Sequence, residues 1–232
     1  MKPYLTVLAA SSLLFAAAPA ASASITLGLL TFETGSEGWS SFAQNSGSVS
    51  TIPFVTGSDG FGVATRINST VGGFAGGGTG SPGPFVLTTA GIDPGTVTVD
   101  DIDKLSVSLE LNIPVGRAIA LRLEPSSSSN GFANRIDLSN SVAGTGSFQT
   151  VTFNLGDIIQ PTQKTTFVNE VNTLGNNGIR LVFGVNNAGN AVGTDYVFDN
   201  VGITYVPEPS SILSLVLGGT LLGLRRRRTA TK

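Results

Sequence analysis

The 232-residue sequence contains no cysteine and no histidine. Without cysteine no disulfide can hold the chain, so stability has to come from a core, a bound ion or a partner. The same two absences exclude Cys/His zinc sites, Ser-His-Asp triads and Cys-His dyads, and with them most familiar hydrolase chemistry. Charge is sparse, at 12% of residues, and the formal net value of −2 conceals an asymmetry. Lys2, Arg225 to Arg228 and Lys232 crowd the two ends, while residues 24–206 carry 7 basic and 14 acidic side chains, a net charge of −7. A body of that sign repels phosphate backbones, which argues against nucleic acid as a partner.

The amino terminus has the three parts of an export signal. Lys2 gives a positive start, Leu5 to Ala18 an apolar stretch, and Ala21-Ser22-Ala23 the small-x-small pattern cut by a signal peptidase, so that the mature chain begins at Ser24. The apolar stretch is too short to span a bilayer and Pro19 interrupts it. At the other end, Ser210 to Leu224 is uncharged and slightly short of the ~20 residues that a spanning helix needs. The arginines that follow belong on the cytoplasmic side, which leaves the preceding body on the outer face of that membrane. Pro207 and Pro209 lack amide hydrogens and keep the backbone extended, presenting Glu208 just outside the lipid.

Pro207-Glu208-Pro209, the Leu/Gly-rich helix and Arg225, Arg226, Arg227 and Arg228, in this order, resemble the carboxy-terminal sorting signal of PEP-CTERM proteins. That resemblance implies export from a Gram-negative bacterium and a transient anchor in the inner membrane. It also implies recognition of the motif by an exosortase that removes the tail, and delivery to the cell envelope or the extracellular matrix, including biofilm matrix. The expected organisation is therefore 1–23 signal peptide, 24–206 folded domain and 207–232 sorting signal.

The body reads as an all-β domain. Apolar and polar residues alternate over Ser48 to Phe54, Phe61 to Ile67, Phe85 to Thr89, Leu105 to Ile113, Ala118 to Leu123, Phe148 to Leu155, Ile179 to Val185 and Tyr196 to Tyr205. From Leu105 to Ile113 every odd position is apolar, as a half-buried antiparallel strand requires. Turn residues separate these runs, and one short helix is expected near Thr166 to Leu174. Many strands and almost no helix predict an antiparallel two-sheet β-sandwich. Gly72 to Pro84 holds seven glycines in thirteen residues and is expected to be a mobile surface loop, because ordering it costs backbone entropy and buries little. Asp100, Asp101 and Asp103 read as a solvated turn.

Thr31-Phe32-Glu33-Thr34-Gly35 with Gly38-Trp39, Gly146 to Leu155, and Tyr196-Val197-Phe198-Asp199-Asn200-Val201 resemble strands of carbohydrate-binding-module-like jelly rolls, the galactose-binding-like sandwiches. In that family a glutamate of the first strand and an aspartate of the last often help bind a structural calcium, and the resemblance puts Glu33 and Asp199 in those places. Hard oxygen donors from adjacent strands suit Ca2+. The other reading is that both carboxylates hydrogen-bond turn amides. Trp39 is expected in the core rather than on a ligand platform, and Tyr196 and Tyr205, nine residues apart, face opposite sides unless a bulge intervenes. No required cofactor and no catalytic residue stand out. The sequence thus points to a non-catalytic exported protein of envelope or matrix that binds polysaccharide. The alternative is a secreted carbohydrate-active enzyme that uses two carboxylates.

Overall fold

In the sequence Leu105-Ser-Val-Ser-Leu-Glu-Leu-Asn112, strict alternation makes one strand whose odd residues, Leu105, Val107, Leu109 and Leu111, are all fully buried. A computed structural model describes this strand together with the rest of residues 23–43, 49–68, 74–80, 83–126, 134–174, 178–185 and 193–207. All of these lie in one compact unit, Ala23–Pro207. The expected signal peptide through Ser22, and Glu208 to Lys232 of the sorting signal with Pro209, the apolar run Ser210 to Leu224 and Arg225 to Arg228, lie outside the described residues. Among the described residues no helix is long and apolar enough to cross a membrane.

The strands, in chain order, are β1 (Ile25–Leu30), β2 (Trp39–Ala43), β3 (Val49–Thr56), β4 (Phe61–Ile67), β5 (Ala75–Thr79), β6 (Phe85–Val86), β7 (Leu105–Asn112), β8 (Ala118–Pro125), β9 (Ile136–Ala143), β10 (Phe148–Asn154), β11 (Gly178–Val185) and β12 (Thr194–Tyr205). They form two antiparallel sheets. The first runs β10-β7-β12-β4-β3, with β1 also on β12; the second runs β2-β5-β11-β8-β9, with β6 also on β11. The inner faces meet through Trp39, whose ring lies 4.8 Å from that of Phe198 in the opposite sheet, and through Phe183 and Phe198 at 4.5 Å. Trp39 is a core residue, as expected, and its indole Nε1 donates to Thr65 Oγ1 at 3.0 Å across the sheets.

Several expectations need correction. The run Phe85 to Thr89 is a strand only at Phe85–Val86; Leu87–Ala90 turns as a 3-10 helix that ends on Gly91 in left-handed conformation (φ 75°). The aspartate cluster is a one-turn helix, α1 (Val99–Asp103), started by a capping box. Thr98 Oγ1 accepts from Asp101 N at 3.2 Å, and Asp101 Oδ2 accepts from Thr98 N at 3.0 Å. The expected short helix is longer, α2 (Pro161–Leu174), because Pro161 is pre-set for a first helical position. Its buried Lys164 reaches Asp103 Oδ1 at 2.5 Å and the Leu155 carbonyl at 2.6 Å.

The largest correction concerns the glycine-rich stretch. Its central part is not a surface loop but β5, buried along its whole length between β2 and β11. The backbones come so close that a Cβ on Gly76 or Gly78 would strike the Phe183 or Leu181 carbonyl, and one on Gly77 would stand 2.6 Å from Thr65 Oγ1 and 3.0 Å from Trp39 Nε1. Glycine here makes space for neighbours rather than flexibility.

The bulge on which the facing of Tyr196 and Tyr205 depends is present. The register of β12 against β7 shifts between Asp199 and Gly202, and Asn200 adopts φ 47° there. This bulge lets Tyr196, fully buried, and Tyr205 both pack on the core. The Tyr196 hydroxyl is buried with no hydrogen-bond partner among the described residues, and burial holds its pKa above the usual phenol value. Tyr196→Phe is therefore expected to raise stability by about 1 kcal/mol, because it removes a desolvated polar group at almost constant volume. A lower midpoint in chemical denaturation would show that the hydroxyl is satisfied.

Candidate functional site

Alternation along the second sheet sends Ile179, Leu181 and Phe183 into the core and their neighbours to the outer face. There Ser40, Phe42 and Ala43 of β2, Gly78 and Thr79 of β5, Arg180 and Val182 of β11 and Glu124 of β8 line a cavity of about 360 Å³. Gly78 contributes to the lining between β2 and β11, and its missing Cβ leaves room for the Leu181 carbonyl. Glu124 is only 3% exposed; one carboxylate oxygen, Oε2, pairs with Arg180 Nη2, and the other, Oε1, has no hydrogen-bond partner among the described residues. Arg180 Nε is likewise buried without a partner. A buried acceptor and a buried donor side by side suit a ligand group that both gives and takes hydrogen bonds, such as a hydroxyl.

Next to this pair the face turns aromatic. The rings of Phe42 and Phe74 stack at 5.8 Å with 25° between planes, and the Arg122 guanidinium sits 4.8 Å from the Phe74 centroid. Phe74 lies over Gly184, where any Cβ would collide with the ring. Arg122 Nε is 3.2 Å from Asp137 Oδ1 but lacks the alignment of a hydrogen bond. Burial, with the like charge of Arg135, depresses the Arg122 pKa, while Asp137 and Glu124 oppose that shift. Asp137 is itself held by Arg135 Nε at 2.9 Å and by Gln163 Nε2 of α2 at 3.0 Å. The face thus offers flat apolar rings beside fixed polar groups.

The site was only partly visible in the sequence. Arg180 sits at an outward position of an expected strand and Glu124 just past the end of another. The walls contributed by β2 and β5 had no strand pattern to announce them.

The two residues expected as metal ligands stand elsewhere, at the turn joining β3 to β4. Glu33 follows β1 and is exposed, and its Oε1 accepts from Phe61 N at 2.8 Å. Asp199, fully buried in β12, accepts from Ser58 N at 2.8 Å and Ser58 Oγ at 2.9 Å through Oδ2, and from Asn200 N at 2.8 Å through Oδ1. Asp199 therefore holds the Ser58 amide within the turn Gly57-Ser58-Asp59-Gly60, and Glu33 holds the Phe61 amide where that turn enters β4. Asn200 Nδ2 adds bonds to Asp59 Oδ1 at 3.1 Å and to Glu110 Oε2 at 3.0 Å. Hydrogen bonds from Ser58 and then Asn200, with a lesser one from Thr150, hold the Glu110 carboxyl below its ordinary value against the opposing effect of burial. Carboxylate oxygens are the donor type that Ca2+ takes, but here those of Glu33 and Asp199 accept from N–H and O–H groups. Among the described residues no group of three or more His, Cys, Asp or Glu is placed to hold a metal, so a cation here would take most of its oxygens from backbone and water.

Backbone strain gathers at the same end. The non-glycine residues with left-handed φ among those described are Phe32 (58°), Glu37 (46°), Phe54 (57°) and Asn200 (47°). Phe32 and Glu37 lie in the segment after β1, Phe54 in β3 and Asn200 beside Asp199.

No protein-family model and no curated protein matches the sequence. Solved structures do. A family 11 carbohydrate-binding module from Clostridium thermocellum, in complex with a β-1,3-1,4-mixed-linked tetrasaccharide, superposes with a TM-score of 0.50 at 18% identity, covering 82% of this chain and 99% of that one. The fold is similar to that of this module. A family 22 xylan-binding domain from Paenibacillus barcinonensis gives 0.46 at 14% identity over 82% of this chain and 99% of that one. The family 11 module of a cellulosomal cellulase from Clostridium thermocellum gives 0.47 at 19% identity, over 78% of this chain and 94% of that one.

Proposed function

We propose that the sandwich is a non-catalytic polysaccharide-binding protein of the cell envelope or extracellular matrix, exported and sorted by the signals at its two ends. The observation that carries the binding reading is the cavity on the outer face of the second sheet, where Glu124 Oε1 and Arg180 Nε are buried and, among the described residues, unpartnered beside the stacked Phe42 and Phe74 rings. A pyranose has an apolar C–H face and a rim of hydroxyls, each a donor and an acceptor, and this surface offers the complement of both. The fold's likeness to a module solved with a glucan tetrasaccharide is consistent with that use. The enzyme reading, two carboxylates working on a glycosidic bond, lacks support at this site: Glu124 is engaged by Arg180, and Asp137 by Arg135 and Gln163.

The binding test is affinity electrophoresis in gels containing mixed-linked β-glucan or xylan. Wild-type protein is expected to be retarded in at least one, and Phe42→Ala to weaken that retardation by about tenfold, the loss of ~1.4 kcal/mol that one aromatic contact supplies. Retardation unchanged by Phe42→Ala would move the site off this face.

For export, the reading rests on Ala21-Ser22-Ala23 before Ser24 and on Pro207-Glu208-Pro209 before the apolar run and Arg225 to Arg228. A signal peptidase and an exosortase are the processing partners, and the tail helix is the membrane contact before processing. Intact mass measurement of the exported protein is expected to give a chain that starts at Ser24 and ends close to Pro207–Pro209. An exported chain of full length would sink the processing scheme. A structural Ca2+ at Glu33 and Asp199 belongs to the same proposal; it would supply stability at the turn, not chemistry.

A further inference from the structure

The turn that Glu33 and Asp199 hold also displays two aromatic rings. Phe54 and Phe61 are 52% and 48% exposed and meet edge to face, with centroids 5.6 Å apart and planes at 86°. Phe54 occupies its position at φ 57°, a conformation that costs an ordinary side chain about 1–2 kcal/mol and that glycine would adopt freely. It sits where β3 bulges, between Ile52 paired with Ala64 and Val55 paired with Gly62. A fold that accepts strain in order to expose a large apolar ring gains nothing in stability from it, and such outliers concentrate where a ligand is held. The surroundings are ordered: Gly35 packs near the tip of the Phe54 ring, and Glu33 accepts the amide of Phe61 itself.

We propose that Phe54 and Phe61 form a sugar-ring platform, a second polysaccharide contact separate from the cavity on the other sheet. The proposal rests on the polysaccharide-binding reading above and gives the ligand class for a different surface. One of the two rings covers the C–H face of a pyranose, and the other, with its plane at 86° to the first, borders the sugar's edge. Size decides against a protein partner. A phenylalanine buries about 150–250 Å² at most, so two half-exposed rings offer on the order of 200 Å², whereas a stable protein interface takes ~800 Å² from each side. Strand pairing with a second copy is also opposed. β3 stands at the end of its sheet, but Pro53 has no amide hydrogen to give and the bulge at Phe54 interrupts the ladder.

Two contacts on one polymer act together, because the second binds at high effective concentration once the first is made. The test compares the full chain with the double variant Phe54→Gly/Phe61→Ala, in which the glycine relieves strain and keeps the fold. Retardation is measured in mixed-linked β-glucan and xylan gels, and calorimetry uses the mixed-linked tetrasaccharide. The expected result is a melting temperature at or above wild type, unchanged tetrasaccharide affinity and polymer affinity lower by about tenfold or more. Wild-type polymer affinity in the double variant, with binding still weakened about tenfold in Phe42→Ala, would overturn the platform and leave the cavity reading standing. No retardation of the wild-type chain in either polymer would overturn both. A dimer that becomes a monomer in the double variant would also overturn the platform, because a second copy would then be what covers the rings.

Discussion

Gly76→Ala is expected to lower stability by about 3 kcal/mol or more, a very large effect for the addition of one methyl group. In most strands glycine is a weakness that alanine repairs. At position 76 the added Cβ meets the Phe183 carbonyl oxygen and stands 2.9 Å from the Gly184 Cα, both backbone atoms of the neighbouring β11. Backbone in the middle of a sheet cannot rotate away as a side chain can, so β5 and β11 have to separate and their ladder lengthens. For a domain of this size ~3 kcal/mol corresponds to a fall in melting temperature of roughly 6–12 °C. Gly202→Ala is the control: its Cβ would press on Leu29 Cδ1 at 3.2 Å, on a side chain that is 55% exposed and free to move, and would stand at an ordinary 3.5 Å from the Gly28 carbonyl oxygen. If the two variants melt alike, β5 does not lie against β11 as described.

The second large effect is expected at Asp199. Its side chain is fully buried and accepts from two backbone amides and one hydroxyl, tying β12 to the turn at Gly57–Gly60 across 141 residues of sequence. Asp199→Ala leaves the Ser58 and Asn200 amides without their acceptor and removes what balances the left-handed Asn200. The cost should be about 3–5 kcal/mol. Asp199→Asn keeps one carbonyl acceptor and should cost distinctly less. The same variant reads the proposed ion, because a ligand bound only by the folded chain raises its melting temperature. Chelation is expected to lower the melting temperature of the wild-type protein and to leave Asp199→Ala and Glu33→Ala unmoved. An equal response in all three would place any bound calcium elsewhere, and a loss below ~1 kcal/mol in Asp199→Ala would show that the turn holds itself.

How far the sequence carries depends on the element. β7 was legible to within a residue because each of its side chains answers to one question, core or solvent, and that question has a period of two. β10 was legible for the same reason, whereas β4 kept its expected bounds although four consecutive residues in its middle are buried. β2, with Trp-Ser-Ser-Phe-Ala, is too short to establish a period, and β9 loses its alternation at a place where its register against β8 shifts. β5 was misread outright. Three glycines carry no pattern, and low hydrophobicity looks like a loop until the neighbours' carbonyls are seen to fill the space where side chains would be. In the candidate site the same limit applies. Arg180 and Glu124 could be found one at a time, as outward residues near strand ends, but their meeting requires β8 and β11 to be neighbours, with Arg180 opposite Glu124.

By itself the sequence determined the all-β class, the inward face of the regular strands, the absence of cysteine and histidine chemistry, and the charge of the body, since each depends on local pattern or on composition alone. Only the tertiary structure decided that a glycine run is a central strand, that Glu33 and Asp199 hold one turn from opposite ends of the chain, and that Phe42, Glu124 and Arg180 line one cavity. Those facts are contacts between residues distant in the chain, and their energies depend on distances of a few ångströms that no local pattern encodes.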